Sequence, residues 1–151
     1  MKKVLFVCTG NTCRSALAEG FFRKITDKKD FKVEILSAGI FAHEGRRASD
    51  EAVLAAAEKG VNISEHVSKT ITHDILSDSD VVLTMTKGHK QLLIERAPEY
   101  KDKIFTLKEF NCTFNADDIE DPFGKGLEAY RKCAKELEEE INKLLSNMKI
   151  E

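Results

Sequence analysis

Short apolar runs alternate along this chain with stretches in which apolar residues recur every three or four positions. Apolar runs bounded by glycine or polar residues are typical of buried strands, whereas the wider spacing is typical of amphipathic helices. The pattern predicts strands at residues 3–7, 33–36, 80–84 and 104–107. It predicts helices at residues 16–24, from a cap at Ser49 or Asp50 to about residue 59, at 87–96 and at 127–145.

The alternation of strands with helices favours one architecture. Right-handed crossovers through helices join parallel strands, so the chain is predicted to form a doubly wound α/β sheet of four parallel strands with helices on both faces. Ligands bind such sheets beyond the carboxyl ends of the strands. Residues 110–120 are polar and lack periodicity, so we expect a mobile surface loop there. Residues 1–151 show no repeat or linker and are predicted to be a single domain.

Composition and charge exclude several kinds of protein. The 24 Lys and Arg residues against 26 Asp and Glu residues give a net charge of −2, which offers no field for holding nucleic acid. The apolar run at the start is too short for a signal peptide or a membrane span, so no membrane association is expected. The four cysteines are too few for a disulfide framework, which favours a reducing cytoplasm, and their spacing does not suit zinc. They are Cys8, Cys13, Cys112 and Cys133.

The segment from Cys8 to Ser15 lies between the first predicted strand and the first predicted helix. Backbone N–H groups in a tight loop that enters a helix converge on an anion, and a phosphoryl group would fit. The same positive potential favours the thiolate of Cys8, a nucleophile, while Arg14 can bind two phosphoryl oxygens with its planar fork. Gly10 and Asn11 are residue types that tolerate the left-handed backbone that such a loop requires. The alternative is that Cys8 is a core cysteine and Arg14 a surface charge.

Phosphoryl transfer to a thiolate also needs an acid for the leaving group and a base for the water that follows. A single carboxylate can do both in turn. Asp121, followed by Pro122 and Phe123 shortly before the last predicted helix, is the candidate. An Asp-Pro pair suits a helix N-cap or a turn equally well, and spacing alone leaves both interpretations open.

Residues 4–19, the Ser-Ala-Gly at 37–39 and the Asp-Pro-Phe at 121–123 together resemble the low-molecular-weight protein tyrosine phosphatase family. The likeness extends over nearly the whole chain, and it implies a flavodoxin-like fold with neither a metal nor an organic cofactor. It also implies that Cys8 is the nucleophile, Arg14 the phosphate clamp and Asp121 the general acid.

The resemblance implies further roles around this loop. The residues that would bind the phosphoryl group are Thr9, Gly10, Asn11, Thr12, Cys13, Arg14 and Ser15. The residues that would support the loop through hydrogen bonds are Asn11, Ser15, Ser37 and His66. Such support would fix the loop and stabilise the thiolate.

Thr12 occupies a position where the tyrosine-directed members of the family usually carry isoleucine, and in this it resembles the protein arginine phosphatase branch. A hydroxyl at the pocket wall favours a polar phosphoguanidinium over an apolar phenyl ring. Phosphoarginine is therefore the preferred substrate class and phosphotyrosine the alternative, unless Thr12 only fills space or bonds its own backbone. Phe123 and Phe41 are candidate walls of the pocket, although Phe41 could equally be a core residue.

Cys13 lies five residues from Cys8 in the same loop, so a reversible, inactivating disulfide is a hypothesis. Arsenate reductases share the loop, but they need further cysteines that residues 81–90 lack. A phosphoprotein-binding or redox-sensing module without turnover remains a further alternative. The expected partners are phosphorylated proteins, and the expected state is a monomer.

Overall fold

The computed structural model describes residues 2–115 and 117–150, which form one sheet with helices on both faces. The strands are β1 (Lys2–Cys8), β2 (Val33–Gly39), β3 (Val81–Thr84) and β4 (Ile104–Thr106). All strand pairs are parallel, in the order β2-β1-β3-β4. The α-helices are α1 (Arg14–Lys28), α2 (Asp50–Glu58), α3 (His73–Asp78), α4 (Lys87–Arg96), α5 (Leu107–Phe110) and α6 (Leu127–Ile150). A 3-10 helix at Pro98–Lys103 precedes β4.

The central position of β1 explains its continuous apolar sequence. Its neighbours are β2 and β3, and side chains of β1 on both faces are fully buried. Phe6 packs against Phe22 of α1, with 5.9 Å between ring centroids, in a cluster that α6 also joins. Leu5 and Val7 face the other way, into a cluster with Leu93 of α4. The predicted four-stranded sheet with helices on both faces is confirmed, and β1 ends at the edge where such sheets bind ligands.

Most element boundaries differ from the predictions by a few residues. β2 runs on to Gly39, because residues 37–39 pair with β1, and α1 begins two residues before the predicted start, at Arg14. Ser49 caps α2, as predicted, by accepting a hydrogen bond from the Ala52 N–H. The pattern gave no sign of α3 or of the 3-10 helix, since both are only six residues long and too short to show a helical period.

The segment after β4 corrects one prediction and refines another. Leu107 begins the short helix α5 and is not a strand residue. Residues 110–115 and 117–120 are mostly exposed, as expected of a surface loop, but Asn111 and Ile119 are buried near its two ends. The Asn111 Nδ2 donates to the backbone oxygen of Glu140 at 2.9 Å and to its Oε1 at 3.0 Å, and Thr113 donates to the same Oε1 at 2.7 Å. These bonds tie the segment to α6.

Candidate active site

The loop between β1 and α1 lies at the carboxyl edge of the sheet, against the end of β2. Asn11 adopts the left-handed conformation at φ 57°, whereas Gly10 does not. A Cβ at Gly39 would lie 2.5 Å from the Thr9 carbonyl oxygen and 3.0 Å from the Asn11 nitrogen. Glycine at the end of β2 therefore lets the strand approach the loop this closely.

Cys8 is buried at the base of the loop, with two hydrogen-bonding groups on its sulfur. The Asn11 N–H points at the Sγ at 3.3 Å, and the Ser15 hydroxyl lies 2.9 Å from it. The Ser15 Oγ already accepts a bond from the Asn11 side-chain amide at 2.7 Å, so its own proton is free for the sulfur. The sulfur therefore has two hydrogen-bond donors within reach.

The side chains predicted to support the loop come together beneath it. The Asn11 amide also donates to the Ser37 hydroxyl at 2.9 Å, and its Oδ1 accepts from the Lys69 N–H at 2.9 Å. The His66 Nε2 donates to the Asn11 backbone oxygen at 2.7 Å. These contacts link the left-handed residue of the loop to β2 and to the segment after α2.

Glu19 of α1 completes this network and was missed in the sequence. Its Oε1 accepts a hydrogen bond from the Ser37 hydroxyl and lies 3.9 Å from the His66 Nδ1. In the sequence Glu19 looks like an ordinary charged helix residue. The only available signal was its position on the helix that follows the loop, one turn after Ser15.

Arg14 begins α1 and is 4% exposed, so it is not the surface charge of the alternative interpretation. Its Nη1 donates to the Ile119 carbonyl oxygen at 2.9 Å, and its Nη2 lies 3.7 Å from the Asp121 Oδ2. A buried guanidinium needs such partners, because an unpaired buried charge is strongly unfavourable. Ile119, in the predicted surface loop, thus supplies an acceptor for the clamp.

Asp121 faces the loop and is half exposed to solvent. Its Oδ1 accepts a hydrogen bond from the Phe123 N–H at 3.1 Å, which is the turn that the Asp-Pro sequence allows. The N-cap interpretation was wrong, since α6 begins six residues later at Leu127. The second carboxylate oxygen remains directed toward Arg14.

Loop and acid together enclose a cavity of about 210 Å³. Its lining residues are Cys8, Thr9, Gly10, Thr12, Cys13, Arg14, Asp121 and Phe123. Phe123 is largely exposed at the rim, while Asn11 and Ser15 lie below the cavity and shape the loop from inside. Phe41 is not among the lining residues; its exposed ring instead packs under the Arg96 guanidinium, 5.1 Å from the ring centroid.

A model of the family described as low molecular weight phosphotyrosine protein phosphatase matches residues 3–151. This chain belongs to that family. A protein-arginine-phosphatase of Geobacillus stearothermophilus is 43% identical over 149 residues, which cover 99% of this chain and 97% of the relative. The resemblance inferred from the loop and the Asp-Pro-Phe sequence is therefore confirmed.

Two solved structures of the family are similar over nearly their whole length. A YwlE arginine phosphatase mutant with a phosphorylated active-site serine has a TM-score of 0.93 and 39% identity, covering 97% of this chain and 95% of that one. A low molecular weight protein tyrosine phosphatase from T. tengcongensis has a TM-score of 0.92 and 46% identity, covering 97% and 99%. The flavodoxin-like α/β fold is confirmed by this agreement.

His89 of α4 also contacts the lining of the cavity and was missed in the sequence. Its Nε2 lies 2.9 Å from the Thr9 hydroxyl, while its Nδ1 is buried without a hydrogen-bond partner. Burial and, next, the positive charge of Arg14 lower its pKa from 6.5 to about 4, although Asp118 and Asp121 oppose them. The ring is therefore neutral at pH 7. No sequence pattern distinguishes this histidine from the other three.

The two loop cysteines are free thiols, so the predicted disulfide between Cys8 and Cys13 stays a prediction. The Cys13 sulfur lies 3.3 Å from the Tyr130 hydroxyl of α6 and 3.6 Å from the Ser49 hydroxyl. Burial, and then the contact with Cys13, raise the pKa of Tyr130 well above its usual range, so the phenol keeps its proton.

The other two cysteines lie outside this site. Cys133 is buried, and burial raises the pKa of its thiol to about 12. Cys112 is exposed. Among residues 2–115 and 117–150, no three His, Cys, Asp or Glu side chains are grouped to hold a metal ion. Within the same part of the chain, no helix is long and apolar enough to cross a membrane.

Proposed function

We propose that this protein is a cysteine-dependent protein phosphatase that hydrolyses phosphoarginine in proteins through a phosphocysteine on Cys8. The observation that carries the proposal is the cavity in which Cys8, Arg14, Asp121 and Thr12 meet. Relatives named protein-arginine-phosphatase support the choice of substrate. The phosphorylated active-site serine in a solved YwlE mutant supports a phosphoenzyme intermediate.

In the first step the Cys8 thiolate attacks phosphorus. The P–N bond breaks, its electron pair leaves with the guanidine nitrogen, and Asp121 gives that nitrogen a proton. Arg14 follows the phosphoryl oxygens into the transition state, where its fork stabilises the developing charge. The Ile119 carbonyl that holds one arm of Arg14 keeps the other donors oriented toward the cavity.

In the second step water attacks the phosphocysteine. Asp121, now ionised, takes a proton from this water, the P–S bond breaks, and inorganic phosphate leaves with Cys8 again a thiolate. The Ser15 hydroxyl and the Asn11 N–H, both directed at the sulfur, stabilise this leaving thiolate. Protein groups and water account for both steps.

The chemistry of the cavity wall supports a guanidinium substrate. The Thr12 hydroxyl lines the cavity and can accept an N–H, and Asp121 supplies a carboxylate on the same cavity. Phe123 at the rim offers an aromatic face on which a planar cation can stack. An isoleucine in place of Thr12 would supply only apolar surface, which suits a phenyl ring better.

Phosphotyrosine is the second candidate substrate. The solved low molecular weight protein tyrosine phosphatase of T. tengcongensis has the same fold and a similar sequence, and Phe123 could equally stack on a phenyl ring. Asp121 would then protonate a phenolate oxygen in place of nitrogen. The rest of the two-step chemistry would be unchanged.

The remaining parts of the proposal concern the protein's surroundings. Its partners are phosphorylated proteins, which enter as substrates, and its compartment is the reducing cytoplasm, in which Cys8 stays reduced. We propose further that the protein is a monomer and that it binds neither nucleic acid nor membrane, which is consistent with the near-neutral net charge of −2.

Release of orthophosphate from a phosphoarginine-labelled protein tests the function. The unmodified protein is expected to release phosphate in many turnovers, whereas Cys8→Ala releases none. Cys8→Ser is expected to bind the labelled protein without sustained turnover. If the unmodified protein also binds the labelled protein without releasing phosphate, it is a binding module and the proposal is wrong.

A further inference from the structure

The contact between His89 and Thr9 joins a buried ring to a residue of the cavity wall. His89 is 8% exposed and lies on α4, outside the phosphate loop. Thr9 is the first loop residue after the nucleophile, and its hydroxyl lies 2.9 Å from the His89 Nε2. Neither catalytic step described above uses this histidine.

Both partners are held in place by the backbone around them. His89 lies in the first turn of α4, where its own N–H donates to the Thr86 hydroxyl at 3.0 Å. The Lys87 N–H in the same turn donates to the Asp118 carboxylate at 2.8 Å. On the other side, the Thr9 carbonyl accepts the Phe41 N–H at 3.0 Å. The distance between ring and hydroxyl is thus set by fixed elements.

The orphaned Nδ1 determines which partner donates. A neutral imidazole carries one N–H, and an N–H at Nδ1 would be a buried donor without an acceptor, which proteins avoid. The proton therefore belongs on Nε2, which donates to the Thr9 oxygen. The pKa of His89, lowered to about 4 chiefly by burial, makes the singly protonated ring the form present at neutral pH.

We propose that His89 is a positioning residue that donates to the Thr9 hydroxyl and so leaves the Thr9 proton free as a fixed donor to a phosphoryl oxygen. A hydroxyl that already accepts one bond can still donate its proton, and Thr9 lines the cavity. The substrate's phosphoryl oxygens are the acceptors that enter this cavity with every phosphorylated side chain. This inference deepens the proposed function and rests on it only for the identity of the substrate.

The proposed donor acts on the phosphoryl group, so it does not depend on the side chain that carries the group. Loss of His89 should therefore weaken the binding of phosphoarginine and phosphotyrosine substrates by the same factor. Thr12, in contrast, is expected to separate these two substrates. Thr9 would therefore bind the phosphoryl group, and Thr12 would select the side chain that carries it.

Titration with orthophosphate, followed by NMR on the folded protein, tests the proposal without requiring turnover. His89→Phe removes the donor and keeps a ring, His89→Gln keeps an N–H at a similar reach, and Thr9→Val removes the hydroxyl. His89→Phe and Thr9→Val are each expected to raise the Kd for phosphate about three- to tenfold, the effect of one lost hydrogen bond. His89→Gln should have a Kd for phosphate near that of the unmodified protein. The double variant His89→Phe/Thr9→Val should have a Kd no higher than that of either single variant, because both changes remove the same hydrogen bond.

Nitrogen-15 NMR of the unmodified protein provides a measurement that no folding defect can obscure. The signals of His89 should show a protonated Nε2 and an unprotonated Nδ1 at pH 7. A protonated Nδ1, an unchanged phosphate Kd in a folded His89→Phe, or additive losses in the double variant would each overturn the proposal. Normal phosphate binding with no turnover of phosphoarginine would count against the proposed function and leave this inference standing.

Discussion

Thr12 is the residue that is expected to determine the preference between phosphoarginine and phosphotyrosine. Thr12→Ile is expected to lower kcat/KM for a phosphoarginine peptide about tenfold, because the wall loses a hydrogen-bonding group, and to raise kcat/KM for phosphotyrosine. Thr12→Ser is the matched control, since it keeps the hydroxyl and should keep the preference. Equal substrate preference in the unmodified protein and in Thr12→Ile would contradict the role given to this side chain.

The contribution of Arg14 to catalysis is expected to depend on the shape of its side chain as well as on its charge. Arg14→Lys keeps the charge but loses the fork that reaches both the Ile119 carbonyl and the phosphoryl oxygens. We expect kcat to fall on the order of a hundredfold or more, as for a lost transition-state donor. Arg131→Lys, on the exposed part of α6 where Arg131 pairs with Glu58, is the control. Similar losses in both variants would argue against a specific clamp.

The sequence was most informative at single residues of the loop. Cys8 and Arg14 could be singled out from the chemistry and order of the loop residues, and Thr12 from the family resemblance; all three line one cavity. Glu19 and His89 could not, because each acts through a contact that only the folded chain creates, 18 residues away at Ser37 and 80 residues away at Thr9. Phe41, proposed as a wall, packs against Arg96 instead.

At the scale of elements, the loop and α6 meet at Cys13, whose sulfur lies beside Tyr130. Peroxide should convert the Cys8 thiolate to a sulfenic acid, which the Cys13 thiol then attacks, releasing water and forming a disulfide. We expect loss of activity, a crosslinked peptide in a digest made without reductant, and recovery with dithiothreitol. Cys13→Ser should form no crosslink, and excess peroxide should carry its Cys8 past the sulfenic acid to a sulfinic acid that dithiothreitol does not reduce. No crosslink in the unmodified protein, or equally complete recovery of both proteins after excess peroxide, would contradict the disulfide.

One buried carboxylate on α6, that of Glu140, anchors the start of the segment between β4 and α6. Glu140→Ala removes the acceptor of Asn111 and Thr113 and should lower the free energy of unfolding by about 1–3 kcal/mol. Denaturant unfolding measures this, with the exposed neighbour Glu139→Ala as control. A change in Glu140→Ala no larger than in the control would show that the anchor contributes little.

The same anchor has a pH dependence of defined sign. Burial opposes ionisation of Glu140, but hydrogen bonds from Asn111, Thr113 and Lys143 hold its pKa below the ordinary value of 4.5. Because the folded pKa is the lower one, its contribution to stability is complete above about pH 4.5 and is lost as the pH falls through the folded value. The free energy of unfolding of Glu140→Gln should therefore vary less with pH in this range than that of the unmodified protein.

At the scale of the whole molecule, the alternation of strands and helices was enough to predict the sheet, because buried parallel strands and amphipathic helices each leave a strong local pattern. Local patterns did not reveal that the segment after β4 turns inward. Asn111 is buried with a partner on α6, and the buried Ile119 offers its carbonyl oxygen to Arg14. Tertiary contacts therefore determine the path of that segment, and with it the position of Asp121.

The central claim concerns the substrate, and the most direct test compares two peptides of identical sequence that carry phosphoarginine or phosphotyrosine. The measurement is kcat/KM for each, with Cys8→Ala as the blank. We expect phosphoarginine to be preferred by about tenfold or more, since the polar wall at Thr12 and Asp121 binds a guanidinium better than a phenyl ring. A preference for phosphotyrosine would contradict the assignment of substrate.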